Sequence, residues 1–305
     1  MSFDINLIHS NFPILKQKVN GKPLIYFDNA ATTQKPLSVI QTIFDFYTKF
    51  NSSSHSQHKL AINVTNKVQE VRVKLKTFLN ADSEKSFVFT KSATEAINLV
   101  ANGLEKLLKL EANDEILLTE LEHHANLVPY QILAKKLGLK LKFVPINIDG
   151  DLEIDKLDSL ITGKTKFMAF SGLSNVFGKK IEIEKIVKKV RNLSSAKILL
   201  DATQLIVHQK VDLKQLDIDF LVFSGHKIYA PLGVGVLYAK PDLLKNLEPY
   251  QTGGEMVQAV NLKNTIYAEF PYKFEAGTLN FEAIFGLGSA IDYLQQVGLN
   301  QIFEY

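Results

Sequence analysis

An α/β fold built on a mixed, mostly parallel sheet is predicted by three observations. From about residue 87 onward, short apolar runs alternate with amphipathic helical stretches. Polar residues suited to chemistry stand just past the ends of those runs, where open α/β sheets place their ligands. The last two runs follow each other closely enough to pair antiparallel.

Phe87-Val88-Phe89 is the first strand, followed by a helix that sets Ile97, Val100, Ala101 and Leu104 on one face. Glu115-Ile116-Leu117-Leu118 is the second. A helix over residues 127–137 and a strand over 141–146 come next. Residues 166–170, 197–200, 220–223 and 235–238 complete the strands. Past Ala239, Pro241, Pro249, Gly253-Gly254 and Pro271 break the chain into loops. A helix then begins near Phe281, with Ile284, Leu287, Gly288, Ile291 and Leu294 on its apolar face. So little sequence follows it that this face is expected to pack on something outside the chain. The expected organisation is an N-terminal segment (1–22), a large ligand-binding domain (23–262) and the start of an incomplete small domain (263–305).

The 305 residues are 46% hydrophobic, enough to bury a large core, and the formal net charge of +3 implies no nucleic-acid partner. Only Arg72 and Arg191 are arginines. Lysine-rich stretches such as residues 185–189 therefore read as solvated helix faces rather than phosphate-binding patches. With no cysteine, disulfides and thiolate metal sites are excluded within the sequence. Residues 1–11 lack the basic-then-apolar order of a secretory signal, and no apolar run approaches the roughly 20 residues that span a bilayer. The expectation is a cytoplasmic protein without membrane or nucleic-acid partners and without a metal.

Four motifs carry chemistry. Thr90-Lys91-Ser92-Ala93-Thr94-Glu95 joins a strand to a helix start, whose unpaired N–H groups suit a phosphate; Ser92 and Glu95 also have the spacing of an ordinary capping box. Glu122-His123-His124 follows a strand and supplies a ring that can stack and move protons, or a polar surface turn. Asp201 ends a buried strand and needs a partner for its charge, either a salt bridge, a helix cap or a ring nitrogen. In Phe223-Ser224-Gly225-His226-Lys227, a lysine stands beyond another apolar run, flanked by a serine and a histidine that can donate to a phosphate. A lysine for covalent attachment and an acid for a pyridinium nitrogen are the two groups that pyridoxal phosphate requires.

These segments resemble the class-V (group V) branch of the fold type I pyridoxal-phosphate transferases, and most of all the SUF-type cysteine desulfurases with the related selenocysteine lyases. The resemblance runs from Tyr26-Phe27-Asp28-Asn29-Ala30-Ala31-Thr32-Thr33 to Phe274-Glu275-Ala276-Gly277-Thr278-Leu279-Asn280. It takes in Glu122-His123-His124-Ala125-Asn126-Leu127-Val128-Pro129, Ser174-Asn175-Val176-Phe177-Gly178 and Ser224-Gly225-His226-Lys227. It implies that Lys227 attaches the cofactor and moves the Cα proton, and that His123 stacks on the ring and assists. Asp201 would pair with the ring nitrogen and Gln204 with the phenolic oxygen. Thr94, Ser224 and His226 would hold the phosphate, with Thr278 reaching the phosphate of a partner in a homodimer. Asn175 and the backbone near Ala30 would face the substrate carboxylate.

The sequence departs from that pattern in three places. Ser54-His55-Ser56-Gln57-His58 stands where the family usually has a histidine-arginine-glycine run, and Ala93 where a hydroxyl residue is common. The family's persulfide-forming cysteine and carboxylate-binding arginine belong to a C-terminal segment of roughly a hundred residues, longer than any ordinary loop, that the sequence does not reach. The expected function is a cysteine desulfurase that converts L-cysteine to L-alanine and passes sulfur through an enzyme persulfide toward iron–sulfur cluster assembly, with a sulfur-acceptor protein as partner. These 305 residues alone are expected not to turn cysteine over. The alternatives are a selenocysteine or cysteine-sulfinate lyase, and a non-catalytic, dimerising remnant that binds the cofactor.

Overall fold

The computed structural model describes residues 4–54 and 56–305, without the side chain of residue 303. His55 of the run at 54–58 and the first three residues of the N-terminal stretch therefore lie outside the described residues. Seven strands form the central sheet: β1 (Phe87–Thr90), β2 (Glu115–Thr119), β3 (Lys140–Val144), β4 (Thr165–Ser171), β5 (Lys197–Asp201), β6 (Phe220–Ser224) and β7 (Gly235–Ala239). Their spatial order is β1-β7-β6-β5-β4-β2-β3. The five strands from β6 to β3 run parallel, whereas β7 is antiparallel to both β6 and β1. The expected mixed sheet is present, and the antiparallel part extends one strand further than the sequence indicated.

Period-two alternation assigns the strand residues to two cores. Phe87, Phe89, Leu117, Met168, Phe170, Ile198, Leu200, Leu221, Phe223, Val236 and Tyr238 face one side. There they meet α1 (Leu37–Asp45), α2 (Lys59–Phe78), α5 (Ile183–Leu193) and α6 (Phe281–Val297). The residues between them, including Val88, Ile116, Leu118, Phe167, Ala169, Leu199, Phe220, Val222 and Leu237, face α3 (Ala93–Leu107) and α4 (Val128–Leu137). With both faces covered, the strands carry near-continuous apolar runs. Helix α5 shows the complementary logic, burying Ile183, Ile186, Val187 and Val190 while Lys185 and Lys189 pair with Asp155 and Asp158 at its surface.

The expectation for the last long helix needs correction. The apolar face of α6 is covered by this chain's own α1 and α2. Gly288 makes that approach possible, since a Cβ there would lie 2.7 Å from Val71. Each of Ile284, Leu287, Ile291 and Leu294 is almost fully buried and contributes about 1.5–3 kcal/mol by burial. Sequence order hid this packing, because the covering helices lie more than two hundred residues upstream. Between β7 and α6 stand a short helix (Pro241–Asn246) and an exposed hairpin of Val257–Val260 with Thr265–Tyr267. Among the described residues, no helix is long and apolar enough to cross a membrane.

Candidate active site

Parallel pairing puts the carboxyl ends of β4, β5 and β6 side by side, so Ser171, Asp201 and Ser224, the last residue of each, share one edge of the sheet. A turn at Gly225–Lys227 follows β6 directly. A cavity of about 270 Å³ opens over this edge, lined by Thr94, His123, Asn175, Asp201, Gln204, Ser224, His226 and Lys227 together with Ala31, Ser92, Ala93, Ala125, Ser171, Leu173 and Thr203.

One end of the cavity is the start of α3. Ser92 caps that helix by accepting from the Glu95 amide at 3.3 Å, and Glu95 reaches back to accept from the Lys91 amide. The Ala93 amide donates to Ser224 Oγ at 2.8 Å, which leaves the serine its own proton to give to a ligand. That contact depends on Gly235, which sits opposite both Thr90 and Ser224 in the sheet. A Cβ at Gly235 would fall within 2.5 Å of Ser92 Cα. The absence of a hydroxyl at Ala93 therefore costs little, because its amide is what the structure uses. His226 is half-buried; desolvation, with the neighbouring charges of Lys227 and Lys35, lowers its pKa and keeps the ring neutral, and its Nδ1 lies 3.1 Å from Thr32 Oγ1. Helix amides, a serine hydroxyl and a neutral imidazole make an end suited to phosphate.

The opposite chemistry is at Asp201. Its carboxylate is 7% exposed, accepts from the Thr203 amide at 2.9 Å, and forms no ion pair among the described residues. Burial raises its pKa, while Thr203, His123 and Lys227 pull the other way. A buried acid of this kind, facing a cavity and in direct contact with no cation among the described residues, fits a protonated ring nitrogen. Lys227 is half-buried; desolvation lowers its pKa, opposed by Asp201 and Asp28, and its Nζ donates to the Ala30 carbonyl at 2.6 Å. Gln204 Nε2 donates to the same carbonyl at 2.8 Å. His123 Nδ1 accepts from the Ala125 amide at 3.1 Å, so a neutral ring carries its proton on Nε2. The donor set thus matches pyridoxal phosphate at both ends.

Thr278 is not brought to this cavity. It lines a separate space of about 340 Å³ with Thr90, Lys91, Glu95 and Tyr250. Asn175 is exposed and also borders an outer cleft beside Glu120, His124 and Phe177. In the run at 54–58, His58 Nδ1 caps α2 by accepting from the Ala61 amide at 3.3 Å. Sequence reasoning gave no role to Glu122, whose carboxylate accepts from the Thr119 hydroxyl, from Asn126 at 2.6 Å, and from the Ser171 amide and hydroxyl at 3.1 and 2.8 Å. It ties the turn carrying His123 to the end of β4. The only available signal was an acid beside a strand end. Among the described residues, no group of three or more His, Asp or Glu side chains could hold a metal.

The class-V aminotransferase family profile matches residues 25–305. A cysteine desulfurase of Enterobacter sp. is 42% identical over the whole chain, which spans 75% of that protein's length. Among solved structures, the cysteine desulfurase CsdA of Escherichia coli superimposes with a TM-score of 0.89 at 34% identity, over 99% of this chain and 74% of CsdA. Apo cysteine desulfurase from Thermococcus onnurineus gives 0.91 at 34% identity, over 97% and 72% respectively. With a helix-start cradle, a buried acid and a half-buried lysine around one cavity, and relatives of this similarity, the chain belongs to the class-V aminotransferase family, alongside the cysteine desulfurases.

Proposed function

We propose that this chain is a pyridoxal-phosphate-dependent cysteine desulfurase that converts L-cysteine to L-alanine and delivers the sulfur to a thiol as a persulfide for iron–sulfur cluster supply. One observation carries the reading: Asp201 and Lys227, from adjacent strand ends, line the same cavity as the start of α3 and His123. When bound, the cofactor supplies an electron-accepting ring that stabilises negative charge at the substrate Cα. Lys227 would hold it covalently, and Asp201 would keep the ring nitrogen protonated. Thr94, Ser224 and His226 would hold the phosphate, with Gln204 at the phenolic oxygen.

Desolvation leaves the Lys227 amine easier to deprotonate than an exposed lysine, so it can take the Cα proton. His123 Nε2 would pass a second proton, a role supported by the Ala125 amide that donates to Nδ1 and orients the ring. Asn175 and the Ala30 backbone would receive the substrate carboxylate. The 305 residues contain no cysteine, so the thiol that takes the sulfur comes from outside them. In this reading the protein works in the cytoplasm as a homodimer, Thr278 serving the phosphate of the partner, with a sulfur-acceptor protein downstream.

The test is to add pyridoxal phosphate, trap the adduct with borohydride and map it, then assay alanine from cysteine with an external thiol, from selenocysteine and from cysteine sulfinate. A trapped adduct at Lys227 supports the cofactor reading, and alanine from cysteine at the rate of a thiol-bearing desulfurase is not expected even with external thiol, since the 305 residues supply no thiol of their own. Alanine from selenocysteine or sulfinate alone would assign a lyase, and an adduct without alanine from any substrate a non-catalytic role. No adduct at Lys227 sinks the reading.

A further inference from the structure

The backbone carbonyl of His226, on the peptide that leads into Lys227, is unusually well held. It accepts from the Thr33 amide at 3.0 Å, Thr33 Oγ1 at 2.9 Å, Lys35 Nζ at 3.2 Å and, at the edge of bonding range, Thr32 Oγ1 at 3.4 Å. A carbonyl oxygen has two lone pairs, so four converging donors over-determine its position. All four come from one short stretch of chain. The same stretch meets Lys227 at its other end, where Ala30 O accepts the side-chain amine at 2.6 Å.

Lys35 is the unexpected member of this group. Its ammonium is half-buried, also donates to the Thr33 carbonyl, and has no carboxylate partner among the described residues. Burial lowers its pKa to about 8. Keeping a partly desolvated cation without a counter-charge is costly, and here both of its contacts are carbonyls of the Lys227 clamp. The segment it braces is strained: Tyr229, two residues past Lys227, has φ of 68°, and its amide donates to Thr33 Oγ1 at 2.9 Å.

We propose that Lys35 is a positioning residue for Lys227, fixing the His226–Lys227 peptide through the His226 carbonyl so that the amine stands ready for covalent attachment of the cofactor. This rests on the reading of Lys227 given above. The role is distinct from catalysis, since Lys35 acts through the backbone and is not among the residues lining the Lys227 cavity.

The experiment measures the rate at which added pyridoxal phosphate becomes covalently attached to the full 305-residue chain. Attachment is followed by absorbance and by borohydride trapping, and amide exchange is measured at Tyr229 in the cofactor-free protein. Lys35→Met is expected to slow attachment about tenfold, because small misplacements of a reacting group have large kinetic effects, and to speed Tyr229 exchange. Lys35→Arg, which keeps a charged donor, is expected to restore the rate to within about threefold. Should Lys35→Met not fold, Thr33→Val, which removes the hydroxyl shared by His226 and Tyr229, is expected to give the same slowing. Attachment by a folded Lys35→Met or Thr33→Val protein at the wild-type rate overturns the proposal alone. Failure of the wild-type chain to attach cofactor at Lys227 overturns the underlying reading as well.

Discussion

Removing the negative charge of Glu275 is expected to destabilise the fold more than any surface substitution. Arg72, one of two arginines in the chain, is 1% exposed and bonds Glu275 Oε2 at 2.6 Å. It also donates to the Phe87 carbonyl, and its guanidinium lies 4.4 Å from the centre of the Phe89 ring. The other Glu275 oxygen accepts from the Phe89 amide at 2.7 Å. The pair therefore fastens α2 to edge strand β1 and to the loop before α6. Glu275→Gln keeps an acceptor for Phe89 but leaves the Arg72 cation buried without a counter-charge. Breaking one side of a buried pair costs about 3–5 kcal/mol. At about 2–4 °C per kcal/mol for large domains, the melting temperature should fall by roughly 6–20 °C. Arg72→Met/Glu275→Gln removes the stranded charge and should recover most of the loss, to within about 2 kcal/mol of the wild type. Urea unfolding of the two singles and the double mutant measures this cycle. A Glu275→Gln loss below about 1 kcal/mol, or a double mutant as unstable as the sum of the singles, would refute the account of the pair as a coupled buried brace.

Glu122 has its pKa raised by desolvation from the ordinary 4.5 to about 7. The fold thus binds a proton that the unfolded chain releases, and the stability present below pH 4.5 is lost as pH climbs to 7, by about 2 kcal/mol after allowing for partial exposure. Glu122→Gln should flatten that decline, and an unchanged slope of stability against pH would count against it. Gly235→Ala should push Ser92 away from Ser224 and weaken phosphate-dependent cofactor binding at least tenfold, read as the ratio of pyridoxal phosphate to pyridoxal affinity; an unaltered ratio removes the glycine from the cradle. Because Asp201 and Asp28 raise the Lys227 pKa against its desolvation, Asp201→Asn should shift the pH midpoint of covalent attachment downward. A midpoint that stays or rises contradicts that electrostatic assignment.

The strands and most helices were legible because their signals are local. Phe220 to Phe223 could be read as a buried strand from four consecutive apolar residues, and α5 from the spacing of Ile183, Ile186, Val187 and Val190. The residues at strand ends were legible as chemistry for the same reason, since each stands immediately past its run. What required long-range packing was not. Nothing around Phe281 announces that α6 lies on α1 and α2, and nothing around Arg72 pairs it with Glu275, 203 positions away. Gly235 reads as an ordinary strand-start glycine until β7 is seen between Thr90 and Ser224. Lys35 resembles every other lysine until the chain folds its ammonium onto the carbonyl before Lys227.

The supports of the candidate site share a physical logic. Its chemically active side chains, Lys227 half-buried, His123 exposed and Asp201 buried, make few contacts of their own: Lys227 bonds one carbonyl, His123 one amide and Asp201 one amide. Such groups keep their bonding capacity for a ligand only if something else fixes the backbone beneath them. That work falls to polar groups just behind them: Glu122 under the His123 turn, Gly235 and Ser224 under the start of α3, and the Thr33 and Lys35 donors under Lys227. Each brace joins segments distant in sequence, so loss of any one should displace a single reactive group and leave the rest of the sheet edge in place. Substitutions at the three braces should therefore be separable: a pH-dependent stability change at Glu122, a phosphate-specific affinity loss at Gly235, and a slowed covalent step at Lys35. If all three instead gave the same global loss of stability with unaltered ligand selectivity, the edge would be one cooperative unit, and assigning a reactive group to each brace would be wrong.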